Sequence, residues 1–263
     1  MDLIHQATTQ DIIGVYYAIY NKLSQTYPEF IYERAMMALL KKRGLKCVRQ
    51  DEYEISYKDK IVGLQRLDLF IADKVVVELK VAAQIKALHL AQLLSYLKVT
   101  GKEVGLLLRF GGPDPEFARR ILTSPTQFAL DETDVPPTPN DDWLYPALAQ
   151  EIIGGAFEVF RTLGPGFMHR IYANACYHEF KLRGLEVRPR REFNVFLDGF
   201  DLGSIKLGHL QIEDKVLVFP VAVSDLENIK LANLKAWMRH LSIPLGIVVN
   251  FNAAQFKPLV LRI

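Results

Sequence analysis

Asp68, Glu78 and Lys80 are the residues of this chain whose types and spacing could do chemistry. They lie in LDLFIADKVVVELKV, Leu67 to Val81, which reads as two short strands around a tight turn. Side chains alternate between the faces of a strand, so Val77, Leu79 and Val81 face one way while Glu78 and Lys80 face the other. With the turn at Ala72-Asp73-Lys74, paired residues sum to twice 73, or 146, which sets Asp68 opposite Glu78 and Arg66 opposite Lys80. Directly opposed like charges destabilise a hairpin. A carboxylate pair there is easier to understand with a cation between its members. Two carboxylates and a lysine on one sheet face could hold Mg²⁺ and act on a phosphodiester. The competing reading is a solvated strand face, the usual fate of Glu and Lys.

The elements that must position these groups follow from periodicity. Asp11 to Ser24 is apolar at Ile12, Ile13, Tyr16, Ile19, Tyr20 and Leu23, which predicts a core-packed helix with Asp11 near its start. Pro28 opens a second helix that Gly44 ends, with Ile31, Ala35, Met36, Leu39 and Leu40 as its apolar face. Glu29 and Glu33 are four apart and share a side of it; on periodicity alone that side faces solvent. Cys47 to Gln50 and Glu52 to Tyr57 read as two strands, followed by a turn at Lys58-Asp59-Lys60. After the hairpin, Ile85 to Thr100 is helical, with Gln92 and Tyr96 four apart, and Val104 to Phe110 suits a buried strand. Helices around a mixed sheet result.

The pattern then repeats. Ile12-Ile13-Gly14 returns as Ile152-Ile153-Gly154, Tyr32 as Tyr172 and Arg43-Gly44-Leu45 as Arg183-Gly184-Leu185, each at 154 − 14 = 140. Beyond Gly63 and Gly203 the offset is 141: Asp73-Lys74-Val75 matches Asp214-Lys215-Val216 and Phe110 matches Phe251. Between the copies, turn-forming residues such as those at 135–142 predict a linker, with Glu116 to Leu122 finishing the first unit. The domains expected are 1–122, a linker at 123–146, and 147–263.

Composition narrows the class. The 263 residues carry a net charge of +2, which excludes a highly basic tail but not a local basic groove. Two cysteines, Cys47 and Cys176, are too few for a disulfide framework or a four-cysteine metal site. No apolar run approaches a membrane span, and the N-terminal residues lack a signal pattern, so a cytoplasmic protein without membrane partners is expected.

Glu33 on an early helix, Asp68 on a strand, Glu78-Leu79-Lys80 on the next and a helix after it resemble the PD-(D/E)XK nuclease superfamily. Within it the chain is most similar to the bacterial GxxExxY proteins, on Glu29 and Tyr32, Val75 to Lys80 and Ala91 to Leu97. Gln92-x-x-x-Tyr96 also resembles the helix motif of RecB-like members. The resemblance implies an α/β (α+β) protein of two tandem restriction-endonuclease-like domains, each a mixed central sheet flanked by helices. It implies a metal-dependent nuclease hydrolysing DNA, with Mg²⁺ or Mn²⁺ on Asp68, Glu78, the Leu79 carbonyl and Glu33. Lys80 would orient the attacking water or offset charge at phosphorus, Gln92 and Tyr96 would position substrate or Lys80, and Glu29 would assist. Arg34, Arg66 and Lys86 are candidate phosphate contacts.

Each copy departs from the pattern. Thr26 stands where the family has glycine. In the second copy Glu29 is matched by His169, Glu33 by Ala173, Asp68 by His209, Glu78 by Phe219, Lys80 by Val221, Gln92 by Asn233 and Tyr96 by Trp237. Phenylalanine and valine cannot bind Mg²⁺. The second copy is therefore expected to be inactive and to buttress the first or hold DNA, making the chain a built-in pseudo-dimer open to further oligomerisation. The alternative is a non-catalytic nucleic-acid-binding or protein-interaction adaptor that retains the fold.

Overall fold

The computed structural model describes residues 3–122, 136, 143–253 and 255–263. Most of the expected linker, 123–146, therefore lies outside the described residues. Two compact units are present: Met1–Ile55 with Leu64–Phe128, and Ser56–Gly63 with Ala129–Ile263.

The first repeat runs α1 (Gln6–Tyr20), α2 (Glu29–Lys42), β1 (Cys47–Tyr57), β2 (Lys60–Ile71), β3 (Val75–Val81), α3 (Ala87–Thr100), β4 (Val104–Phe110) and β5 (Glu116–Ile121). The second runs α4 (Pro146–Leu163), α5 (His169–Leu182), β6 (Val187–Leu197), β7 (Phe200–Ile212), β8 (Val216–Val221), α6 (Leu231–His240), β9 (Leu245–Asn250) and β10 (Leu259–Arg262). Each repeat forms a five-stranded sheet in sequence order, β1-β2-β3-β4-β5 and β6-β7-β8-β9-β10. β3 and β4 are parallel, as are β8 and β9, and the helix between each pair supplies the crossover that parallel strands require. The tandem mixed sheets flanked by helices are the architecture expected from the sequence.

Shared residues explain the repeat. Gly44 and Gly184 adopt left-handed φ of 79° and 78°, and the Leu45 and Leu185 N–H groups return to the Leu40 and Phe180 carbonyls, closing each helix. Arg43 pairs with Asp11 at 3.2 Å, and Arg183 with Glu151 at 3.1 Å, so one ion pair joins the first two helices of each copy. Tyr32 and Tyr172 are fully buried. Tyr32 stacks on Phe110 at 4.1 Å and Tyr172 on Phe251 at 4.6 Å, and each hydroxyl donates to a carbonyl of the loop before its helix. The repeated tyrosine is a packing residue that ties this loop to the core.

Several boundaries differ from expectation. α1 starts at Gln6 rather than Asp11 and stops at Tyr20, where Gln25 bonds the Tyr20 and Leu23 carbonyls and turns the chain. β1 is one strand rather than two, running through Gln50 despite its left-handed φ of 52°. The buried side of α2 is Tyr32, Glu33, Met36 and Leu40, so the predicted stripe is rotated and Glu33, 5 % exposed, turns inward.

α1 and α2 cover the sheet face that carries Val75, Val77, Leu79, Leu106 and Leu108. On the other face Gly105 meets α3: a Cβ there would stand 2.7 Å from Leu93 Cδ1. Gly246, its counterpart, would meet Met238 Sδ of α6 at 2.7 Å. Glycine at this point lets the crossover helix lie close on the parallel pair. Val76 is opposite Gly105 in the ladder, so Val76, Glu78 and Lys80 lie on the α3 side. Gly105→Ala should therefore destabilise the protein by about 1–3 kcal/mol through overpacking, read as a lower midpoint in urea with an unchanged slope.

Candidate functional site

The β2–β3 hairpin has the register read from the sequence. Leu69, Phe70 and Ile71 stand opposite Val77, Val76 and Val75, a constant sum of 69 + 77 = 146. Ala72 and Asp73 make the turn with φ of 53° and 57°. The ladder ends at Leu69 and Val77, and just beyond it the Leu79 N–H donates to Asp68 Oδ2 at 2.8 Å. A side chain takes a donor that a longer ladder would have given to a carbonyl. The bond fixes the Asp68 carboxylate beside Glu78.

Glu78 is 3 % exposed and accepts from Lys80 Nζ at 2.6 Å. Lys80 Nζ also lies 4.0 Å from Glu29. The lysine is the cation that the opposed carboxylates require. Burial opposes its charge, but Glu78, Glu29 and Asp68 together lift its pKa above the ordinary lysine value, so the ammonium persists. Burial first, and then the charge of Asp68, push the Glu78 carboxyl up to about 8 against the pull of Lys80.

α2 adds its two glutamates from its first turns. The carboxylates of Glu29, Glu33 and Asp68 offer oxygens within 4.8 Å of one another, a group able to hold a metal ion among the described residues. Burial raises the pKa of each; neighbouring carboxylates add to the shift at Glu29 and Glu33, while the Leu79 N–H and Lys80 oppose it at Asp68. Clustered, partly desolvated oxygen donors are the ligands a hard divalent cation prefers, so these residues fit Mg²⁺ or Mn²⁺. Glu29, expected as an auxiliary, belongs to this cluster, while Glu78 sits beside it and is engaged by Lys80.

The other sequence candidates separate. Gln92 is half-buried and Tyr96 buried, one turn apart on α3, the helix packed on β3 and β4. Arg66 is exposed and bonds Glu52 at 2.8 Å. Arg34 is exposed with its guanidinium over the Phe30 ring. Lys86 is exposed just before α3.

Sequence reasoning missed three neighbours. Arg49 Nη1 and Gln50 Nε2 both donate to Glu33 Oε2, at 3.2 and 3.3 Å. Adjacent strand residues normally face opposite ways; the left-handed φ at Gln50 lets both reach one carboxylate, and no glycine marks that position. His89 accepts from the Lys86 N–H through Nδ1, and burial, then Lys80 and Lys86, hold its pKa below the usual value. Its spacing of three from Gln92 was the available signal.

The corresponding place in the second repeat is filled. The β7–β8 ladder ends at Leu210 opposite Val218, as in the first copy. His209 is buried there, its ring 5.8 Å from Phe219 and 6.2 Å from Trp237. Phe219 packs with Leu217, Leu234 and Met238 as part of a hydrophobic core.

The raised pKa of Glu78 gives a stability signature. Its folded value of about 8 exceeds its ordinary 4.5, so the folded state holds the proton more tightly. The resulting stabilisation is fully present below the ordinary value and is lost as pH rises through the folded one. Between those limits, metal-free wild type should lose up to about 1.4 kcal/mol per pH unit relative to Glu78→Gln. Urea unfolding of both proteins at several pH values measures the difference.

A model of the PD-(D/E)XK nuclease superfamily matches the chain twice, over residues 6–121 and 146–263. Comparison with curated proteins and with solved structures returned no match. With two matches that together span most of its length, each over one five-stranded unit, the chain belongs to the PD-(D/E)XK nuclease superfamily.

Proposed function

We propose that this protein is a metal-dependent nuclease of the GxxExxY type that hydrolyses DNA phosphodiester bonds in the cytoplasm, at the first repeat only. The observation that carries this reading is the contrast between equivalent places. The first gathers Glu29, Glu33 and Asp68 around Lys80 and Glu78; the second is occupied by His209, Phe219 and Trp237. Superfamily membership supplies the nuclease class.

Asp68, Glu33 and Glu78, with the Leu79 carbonyl, would hold Mg²⁺ or Mn²⁺, and Glu29 completes the acidic cluster. Such an ion, when bound, polarises the scissile phosphate and acidifies a coordinated water. The chain's own residues prepare the rest. The Leu79 N–H holds the Asp68 carboxylate in place, while Arg49 and Gln50 orient Glu33. Lys80, kept protonated by its acidic neighbours, offsets negative charge developing at phosphorus or holds the attacking water. Gln92 and Tyr96 position Lys80 or the substrate. Arg34, Arg66 and Lys86 contact phosphates, Arg66 by exchanging Glu52 for the backbone.

The domains are 1–122 and 147–263, and the second buttresses the first or holds DNA. No helix among the described residues is long and apolar enough to cross a membrane. Cleavage of single-stranded, double-stranded and branched DNA with Mg²⁺ or Mn²⁺ tests the proposal. Lys80→Ala and Asp68→Ala should each lower the rate by about 10²-fold or more. Binding without cleavage across the panel would replace the enzyme with an adaptor. A protein lacking 143–263 should lose solubility or DNA affinity; full retention of solubility, affinity and cleavage removes the role given to the second repeat.

A further inference from the structure

The two repeats share a hairpin tip and a helix that can receive it. The second compact unit takes in Ser56–Gly63, the tip of the β1–β2 hairpin. Within that unit the tip is covered by α5. Tyr57 Oη donates to Glu179 Oε2 at 2.8 Å, and Lys58 pairs with the same oxygen. Asp59 meets His178 at 2.7 Å, and Asn174 donates to the Val62 carbonyl at 2.8 Å. Tyr57 and Val62 are 0 % and 3 % exposed as a result.

The second tip, at the β6–β7 turn, is bare. Leu197 and Leu202 stand 140 residues after Tyr57 and Val62, since 197 − 57 = 202 − 62 = 140, and each is 61 % exposed. Phe196 and Phe200 beside them are 57 % and 73 % exposed. A run of large apolar side chains in water marks a surface that another surface covers.

The second receiving helix is also bare. Arg34, Ala38 and Leu39 of α2 correspond to Asn174, His178 and Glu179 of α5, at 179 − 39 = 140, and all three are exposed. The replacements match across the two halves. Where Tyr57 meets Glu179, the second pair is Leu197 and Leu39, so a polar contact becomes apolar on both sides at once. Where Asp59 meets His178, the second pair is Gly199 and Ala38, so a charged contact becomes a small one on both sides.

We infer that the β6–β7 tip of one chain docks on α2 of a second copy of this chain, in the manner that 56–63 docks on α5. Both halves are exposed on the same chain, and a second copy offers the complement of each. Two such contacts related by a two-fold axis close a dimer in which the same patches serve both partners.

Sedimentation velocity on the full chain over a wide concentration range tests this. Wild type should sediment as a dimer. Leu197→Asp and Leu39→Glu should each shift it to a monomer with an unchanged far-ultraviolet circular dichroism spectrum, because both side chains are exposed within one chain. Leu39→Glu combined with Leu197→Tyr and Asp198→Lys copies the Tyr57–Lys58–Glu179 arrangement and should restore the dimer. A monomeric wild type, a dimer that survives both single variants, or a triple variant that stays monomeric would each overturn the inference.

Discussion

The bond between the Leu79 N–H and the Asp68 carboxylate decides what the first repeat can be. Sheet order ends at Leu69 and Val77, and from there a side chain takes over a main-chain obligation. That exchange holds one carboxylate next to another whose burial is nearly complete. An isolated buried carboxylate would be neutral and inert; Lys80 counters the burial and the acidic neighbours that favour the neutral form, and keeps this one responsive. The glutamates of α2 then need only the right helix phase to join, which the inward turn of Glu33 supplies.

The second repeat shows which parts of this arrangement belong to folding. It keeps the ladder and its end point, the left-handed turn, the glycine under the crossover helix, the stacked tyrosine and the helix-to-helix ion pair. It discards every charged group of the site. Arg109 and Asn250 make the same point at the ends of β4 and β9. Both hold the loop after the preceding strand, Arg109 through the Ala82 and Ala83 carbonyls and Asn250 through Val223, with unrelated chemistry. Backbone groups that need partners constrain the position more than the residue type does.

Much of this was legible in the sequence because it rests on period and symmetry. The strand alternation and a three-residue turn fixed the pairing of Leu69 with Val77, and the offset of 140 then 141 exposed the duplication. What escaped depends on local backbone exceptions and helix phase. Arg49 and Gln50 reach one oxygen because a non-glycine residue takes a left-handed φ, which alternation forbids one to expect. Periodicity alone puts Glu33 on the solvent side because its helix has five apolar residues elsewhere, and only the family resemblance places it at the site; a sheet packs against a direction, and the buried Tyr32 beside Glu33 marks that direction. The start of α1 was misplaced because Asp11 looks like a cap while serving as the partner of Arg43.

The packing around Phe219 has a consequence for titration. In one chain, a fold appears twice, once with an acidic cluster at the end of its β2–β3 ladder and once with Phe219 and its apolar neighbours at that place. Stability given up for chemistry is usually inferred by comparing separate proteins; here the relieved version is attached to the burdened one. The halves therefore differ in how they meet acid, since the raised carboxyl of Glu78 has only Phe219 as its counterpart. A proton taken up near neutral pH by that carboxyl is then a property of one half and not of the fold.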